Sequence, residues 1–176
     1  MRRILLLDDE INVLHALQRA LRQCFKEIIL EIETFSDPEQ ALLRSGEAIF
    51  DVVMSDYRMP GMNGAEFLHV IMGVQPEATR LILSASTDFA EVTNAISRAE
   101  VFRYLAKPWS PETLRTTFES AFSRHDEVVK ARRMADDVRA AQGLLSPQEL
   151  ELRRLEAEEP GITRVNWGKD GSVHLE

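Results

Sequence analysis

The feature that most constrains this chain is an alternation running through its first two-thirds: short aliphatic runs, each followed by a longer stretch with helical spacing. The runs span residues Arg3 to Leu7, Ile28 to Phe35, Phe50 to Met54, Arg80 to Leu83 and Val101 to Leu105. They give five expected strands. Between them, Val13, Leu14, Leu17, Ala20 and Leu21 recur at three-and-four spacing, as do Phe67, Leu68, Ile71 and Met72, the period of a helix with one buried face. Asp37 before Pro38, with Gln40 three residues on, and Ser110 before Pro111 mark two helix starts, because a capping oxygen followed by proline suits the first turn. Strand followed by helix, five times over, predicts a parallel sheet with helices on both faces. Strands buried on both faces read as continuous apolar runs, as Ile4 to Leu7 and Val52 to Met54 do. The expected fold is therefore α/β, a doubly wound five-stranded parallel sheet.

The helical pattern that opens at Ser110 runs on past the point where a domain of this kind ends. Leu114, Phe118, Ala121 and Phe122 suit packing on the sheet, whereas Val128, Ala131, Ala135, Val138 and Leu145 continue the spacing beyond it. An extended C-terminal helix is expected. Gly143 breaks the pattern, and Ser146, Pro147 and Glu149 form a capping-box signal for a short helix to about Glu159. After Pro160 and Gly161, apolar and polar residues alternate from Ile162 to Trp167 and from Ser172 to Leu175 around a glycine-rich turn, which reads as a small β-hairpin. Such a hairpin is marginal in water alone and needs a surface to pack on. The division expected is 1–125 for the sheet domain and 126–176 for a helical and hairpin extension.

Composition narrows the function. The 176 residues carry a net charge of -8, which opposes a general phosphate-binding surface, so no direct nucleic-acid partner is expected. Cys24, the one cysteine, cannot form an internal disulfide, and no Cys/His cluster has zinc spacing. The apolar runs are too short for a membrane span or signal peptide. A cytoplasmic protein without membrane contact is expected.

In an open parallel sheet a ligand binds at the carboxyl ends of the strands, where their order reverses. The residues there are Asp8, Asp9 and Glu10 after the first strand, Asp56 after the third, Ser84 after the fourth and Lys107 after the fifth. Clustered carboxylates repel one another unless a cation intervenes, and hard oxygen ligands select Mg²⁺ or Mn²⁺. Mg²⁺ favours few protein carboxylates, several waters and a phosphate oxygen, to which Lys107 and Ser84 are suited. Singly, each residue has a plainer role: Asp9 as a helix N-cap, Asp56 as a turn cap before Pro60 and Gly61, Ser84 as a partner to a loop amide, Lys107 as a solvated charge. Taken together, four strand ends carrying these residue types point to metal-assisted phosphoryl chemistry.

These residues resemble the receiver domain of two-component response regulators. The resemblance rests on LLLDDE at the first strand end, VVMSDYRMPGMNGAEFL around Asp56, LILSAS at the fourth and FRYLAKPW at the fifth, over about residues 2 to 125. It implies a flavodoxin-like strand order of 2-1-3-4-5 and a phosphoacceptor at Asp56, charged by a histidine kinase or phosphotransfer protein in a phosphorelay. Mg²⁺ would be held by Asp8, Asp9, Asp56 and the main-chain carbonyl of Arg58. Ser84 and Tyr104 would be the switch pair and Lys107 the phosphate-binding lysine, with a cis bond at Lys107-Pro108.

The run ending in Trp109 is similar to receivers often joined to HD-GYP cyclic-di-GMP phosphodiesterase domains, but the tail is too short for such a domain. The protein is expected to act as a phosphoprotein rather than an enzyme, assisting its own phosphorylation and dephosphorylation. It would signal through a downstream effector protein and homodimerise through the extension. The alternative is the receiver portion of a larger output enzyme; a transcription factor acting directly on DNA is opposed by length and charge. His15 and His69 read as helix-surface residues, His125 and His174 lie away from the crevice, and Trp167 reads as the hairpin's anchor. Met59 and Met62, beside Asp56, are either gap-fillers or part of a kinase docking surface.

Overall fold

A computed structural model describes residues 1–85 and 99–158. The expected hairpin and its Trp167 and His174, like the helix expected between the fourth and fifth strands, lie outside the described residues. The strands are β1 (Arg2–Leu7), β2 (Leu30–Phe35), β3 (Val52–Asp56), β4 (Thr79–Ala85) and β5 (Arg103–Lys107). The helices are α1 (Ile11–Cys24), α2 (Pro38–Ser45), α3 (Gly64–Val74), α4 (Pro111–Ala141) and α5 (Pro147–Glu158). All strands pair in parallel in the order β2-β1-β3-β4-β5. The sheet is doubly wound, and the order reverses between β1 and β3.

Side chains alternate across a strand, so a continuous apolar run feeds two cores. Ile4, Leu6, Val52, Met54, Leu81, Leu83 and Leu105 meet Leu14, Leu17 and Leu21 of α1 and Leu114, Phe118 and Phe122 of α4 on one face. Leu5, Leu7, Val53 and Ile82 meet Ala41 of α2 and Phe67, Leu68 and Ile71 of α3 on the other. Phe50, expected in the third strand, instead plugs this second core from the loop before β3, and its N–H donates to the Gln75 side chain at 2.9 Å. That strand runs on to end at Asp56. Likewise β2 begins at Leu30, opposite Arg2, because an edge strand has only β1 to pair with; Ile28 and Ile29 stay exposed.

The caps follow the sequence signals. Asp37 accepts the N–H of Glu39, Ser110 that of Thr113. Ser146 and Glu149 cap each other reciprocally, with the Ser146 N–H on Glu149 Oε2 at 2.7 Å and the Glu149 N–H on Ser146 Oγ at 3.2 Å. The 31 residues of α4 make a rod of roughly 46 Å at 1.5 Å per residue, and its last side chain buried against the sheet domain is His125. Gly143, at φ +71°, ends the helical run in the left-handed conformation. The chain then turns, and α5 folds back along α4. Arg153 reaches Asp136 at 2.8 Å and Arg154 reaches Asp137 at 3.3 Å. This return buries Leu145, which the sequence pattern placed on an open stripe, while Ala131, Ala135 and Val138 remain exposed and Val128 is half-buried.

Candidate functional site

The switch in strand order opens a crevice above β1 and β3, and strand register decides what enters it. Leu7 stands opposite Ser55, Asp56 opposite Leu83, and Ala85 opposite Lys107, so the carboxyl ends of four strands finish nearly level. Asp8 is fully buried and Asp56 is 5% exposed. Lys107 Nζ donates to Asp8 Oδ2 at 2.8 Å and lies 2.5 Å from Asp56 Oδ1. Asp8 Oδ1 accepts the Glu10 N–H at 2.9 Å, and Asp56 Oδ2 accepts the Arg58 N–H at 2.7 Å.

Two buried carboxylates thus share one lysine. Burial raises the Asp56 carboxyl above its ordinary 3.8; Lys107 pulls it back and the Asp8 charge pushes it up again, leaving it raised. For Lys107, burial works to lower the ammonium, but hydrogen bonds and charge from Asp56 and Asp8 prevail and hold it above 10.5. The lysine stays a cation, and the pocket keeps excess negative charge.

The N-cap of α1 is Glu10, with no side-chain cap bond, so Asp9 is not the cap; it stands exposed at the crevice rim. Asp56 does support its loop through the Arg58 N–H, but its other oxygen faces Lys107. Lys107 is no solvated charge, with its side chain 21% exposed and both carboxylates against it. Buried Ser84 donates to the Ala85 carbonyl at 3.2 Å, and the Tyr104 hydroxyl donates to the Ser84 carbonyl at 3.2 Å, which places the two residues side by side on β4 and β5. Arg58 is exposed on the loop after β3, and Lys107-Pro108 is cis. Met59 and Met62 pack against the α2–α3 core, and Trp109 against the α1–α4 core.

The donor set fits a hard divalent cation. Asp8 and Asp56 are oxygen donors that share one lysine, and Asp9, next to Asp8 in the chain, is exposed. Among the described residues no group of three or more His, Cys, Asp or Glu is placed to hold a metal ion, so two carboxylates would need waters and other oxygens to complete a shell around one.

Sequence reasoning missed Gly64. It opens α3 against the strand end, and a Cβ there would fall inside the Asp56 carbonyl group and against Ser55 Oγ. Its N–H donates to the Tyr57 carbonyl at 3.0 Å, and the preceding Asn63 forms a capping box with Glu66. A glycine directly after a strong N-cap was the available signal. The reading also missed His125, which is buried at the opposite end of the sheet.

Comparison with known proteins agrees with this arrangement. Residues 4–119 match the model of the response regulator receiver domain. The chain is 29% identical over 150 residues to the hydrogenase transcriptional regulatory protein HoxA of Cupriavidus necator, a match covering 85% of this chain and 27% of the relative. It thus spans about a quarter of that relative's length. Among solved structures, the adenylate cyclase from Rhodopirellula baltica superposes with a TM-score of 0.69 at 29% identity, covering 76% of this chain and 96% of that one. The signal receiver domain of an HD domain-containing protein from Pseudomonas fluorescens Pf-5 gives 0.65 at 29% identity, covering 73% and 92%. A doubly wound sheet of this order, a crevice of paired aspartates bridged by lysine, and a family match over most of that sheet together place the chain in the response regulator receiver family.

Proposed function

We propose that this protein is a phosphoacceptor of two-component signalling, in which Asp56 takes a phosphoryl group from a histidine kinase or phosphotransfer protein in a Mg²⁺-dependent reaction. The observation that carries this reading is Lys107 Nζ held against both Asp8 and Asp56 in a buried crevice. The carboxylate of Asp56 attacks phosphorus in line; the new O–P bond forms as the bond to the donor's nitrogen breaks, and the donor imidazole leaves with its electron pair. Catalysis here is positioning and charge neutralisation. Lys107 is placed to follow the phosphoryl oxygens, and the Ser84 hydroxyl can turn from the Ala85 carbonyl to donate to them. Asp8, Asp9, Asp56 and the Arg58 carbonyl would hold Mg²⁺, which when bound neutralises charge on the transferring group. Tyr104, beside Ser84, would report the change to the β4–β5 side of the domain, where an effector protein would read it.

The extension supplies association. Ala131, Met134, Ala135 and Val138 lie exposed along α4, and pairing with a second copy would cover them. A second reading is favoured by the small share of HoxA that this chain spans: the same phosphoacceptor acting as the receiver portion of a larger regulator or output enzyme, for which the HD domain-containing relative is a precedent.

The test is incubation with acetyl phosphate and Mg²⁺ followed by intact-mass measurement. One acid-labile phosphoryl group is expected on the wild type and none on Asp56→Asn. An increment that persists in the variant would remove Asp56 from the role. Sedimentation of the full chain at tens of micromolar, phosphorylated and not, checks the pairing; a monomer in both states would sink it.

A further inference from the structure

His125 is the last side chain of α4 buried against the sheet domain, 8% exposed, and both of its ring nitrogens meet acceptors. Nδ1 lies 3.0 Å from the main-chain carbonyl of Glu77, in the turn before β4, and Nε2 lies 3.1 Å from Asp51 Oδ1, in the loop before β3. A neutral imidazole has one N–H and cannot satisfy both; an imidazolium donates to both at once. The ring is largely buried, so an acceptor left unmatched against it carries a cost.

The surrounding charges bind the helix exit to three strand starts. Arg2, at the start of β1, reaches Asp51 at 3.3 Å and grips Asp126, the residue after His125, through two bonds of 2.7 and 2.6 Å. Asp51 also accepts the Arg3 N–H at 2.6 Å. About two turns further along α4, Arg132 holds the Glu77 carboxylate at 2.6 Å. Lys130 shares the outer pocket beside Arg2 and Asp51. On the α5 side, the cleft at the ring is lined by Arg132, Arg133, Arg153 and Arg154 against Asp136 and Asp137. Of the charged side chains here Asp51 touches the ring, while Arg2 opposes the ring's proton through its charge.

We propose that His125 is a proton-dependent latch: charged, it pins the point where α4 leaves the sheet domain, and uncharged, it releases that point and with it the direction of the α4–α5 hairpin. Burial works to lower the ring's affinity for its proton, but the hydrogen bond and charge of Asp51 and the Glu77 carbonyl outweigh it and leave the pKa above 6.5. The anchoring contribution is therefore complete below 6.5 and is lost as pH rises through the folded value. The latch is built at the opposite end of the sheet from Asp56 and stands apart from the phosphoryl chemistry.

The test follows the full chain by NMR titration of its imidazoles and by hydrogen exchange of α4, corrected for the intrinsic pH dependence of exchange. The His125 ring should titrate above 6.5, and opening of α4 just beyond it should increase about tenfold for each pH unit by which that pKa is raised. In H125Q, which can donate one hydrogen bond but carries no titrating proton, the pH-dependent step should vanish. A ring titrating at or below 6.5, or an unchanged step in H125Q, overturns the latch. Should H125Q fail to fold, D51N decides: the ring must then titrate lower than in the wild type, and an unmoved titration overturns the proposal.

Discussion

The two ends of the sheet hold the same kind of group under opposite terms. At the carboxyl end, Asp56 is buried with Asp8 against a single lysine, and its carboxyl is pushed up. At the amino end, Asp51 is also partly buried, yet hydrogen bonds from His125 and the Arg3 amide, with charge from His125 and Arg2, outweigh burial and hold its carboxyl below 3.8. Burial alone does not distinguish them; compensation does. A carboxylate ringed by donors is satisfied and acts as structure, whereas one left short of positive charge has the perturbed environment that marks a candidate functional group.

Short of replacing Asp56 itself, removing the lysine at the carboxyl end should have the largest effect on chemistry. Lys107→Ala is expected to slow phosphorylation of Asp56 by acetyl phosphate at least about 100-fold, the scale for deleting one preorganised positive or donor group at a transferring centre. Unfolding free energy should also fall, by about 3 kcal/mol without a divalent ion, because two buried carboxylates lose the cation between them. A large stability loss with an unaltered rate would make the two ends alike.

Gly64→Ala strikes the same end through its backbone. The added methyl must displace the Asp56 carbonyl or the start of α3, so we expect a loss of about 2 kcal/mol, in the range for overpacking, together with slower phosphorylation. Denaturant unfolding and the same rate assay check both; wild-type values in each would show that the approach of α3 to the strand end is slack.

The direct comparison is Asp51→Asn against Asp56→Asn. Breaking the compensated cluster should cost about 2 kcal/mol and leave the phosphorylation rate within about twofold, while Asp56→Asn should be neutral or stabilising. The pH dependence sharpens this. Asp51, with its pKa lowered, contributes stability that is complete above 3.8 and is lost as pH falls through its folded value. Asp56, raised, does the reverse: stability declines as pH rises from 3.8 through its folded value. Relative to wild type, Asp56→Asn should therefore gain as pH rises above 3.8, whereas Asp51→Asn should lose as pH rises towards 3.8 and hold level above it. Denaturant midpoints across a pH series measure it; parallel curves would erase the distinction.

The smallest expected effect lies on the alkaline side of the amino end. Because the His125 pKa is raised, its contribution is present below 6.5 and falls as pH climbs through the folded value. The wild type should therefore show a shallow decline in unfolding midpoint there that H125Q lacks. Equal declines in both would assign the slope to other groups.

The elements, the sheet order and the residues gathered at its carboxyl end were legible in the sequence. Alternation and helical period are local, so Ile4 to Leu7 and the spacing from Val13 to Leu21 declare their structure within a few residues. Asp8, Asp56, Ser84 and Lys107 each stand at the end of a run, which made their convergence legible once the sheet was recognised as parallel. Strand ends were less legible: Phe50 is as apolar as a strand residue, and only the packing of Gln75 and the α3 face put it in a loop.

The tertiary structure alone decided three things: that Gly64 abuts the Asp56 carbonyl, that α5 turns back to bury Leu145, and that His125 joins Asp51. Asp51 and His125 are 74 positions apart by their numbering, with nothing local in either segment to mark the other. Charge pairing acts through space at a few ångströms, and which acid meets which base is set by where the packed core delivers them.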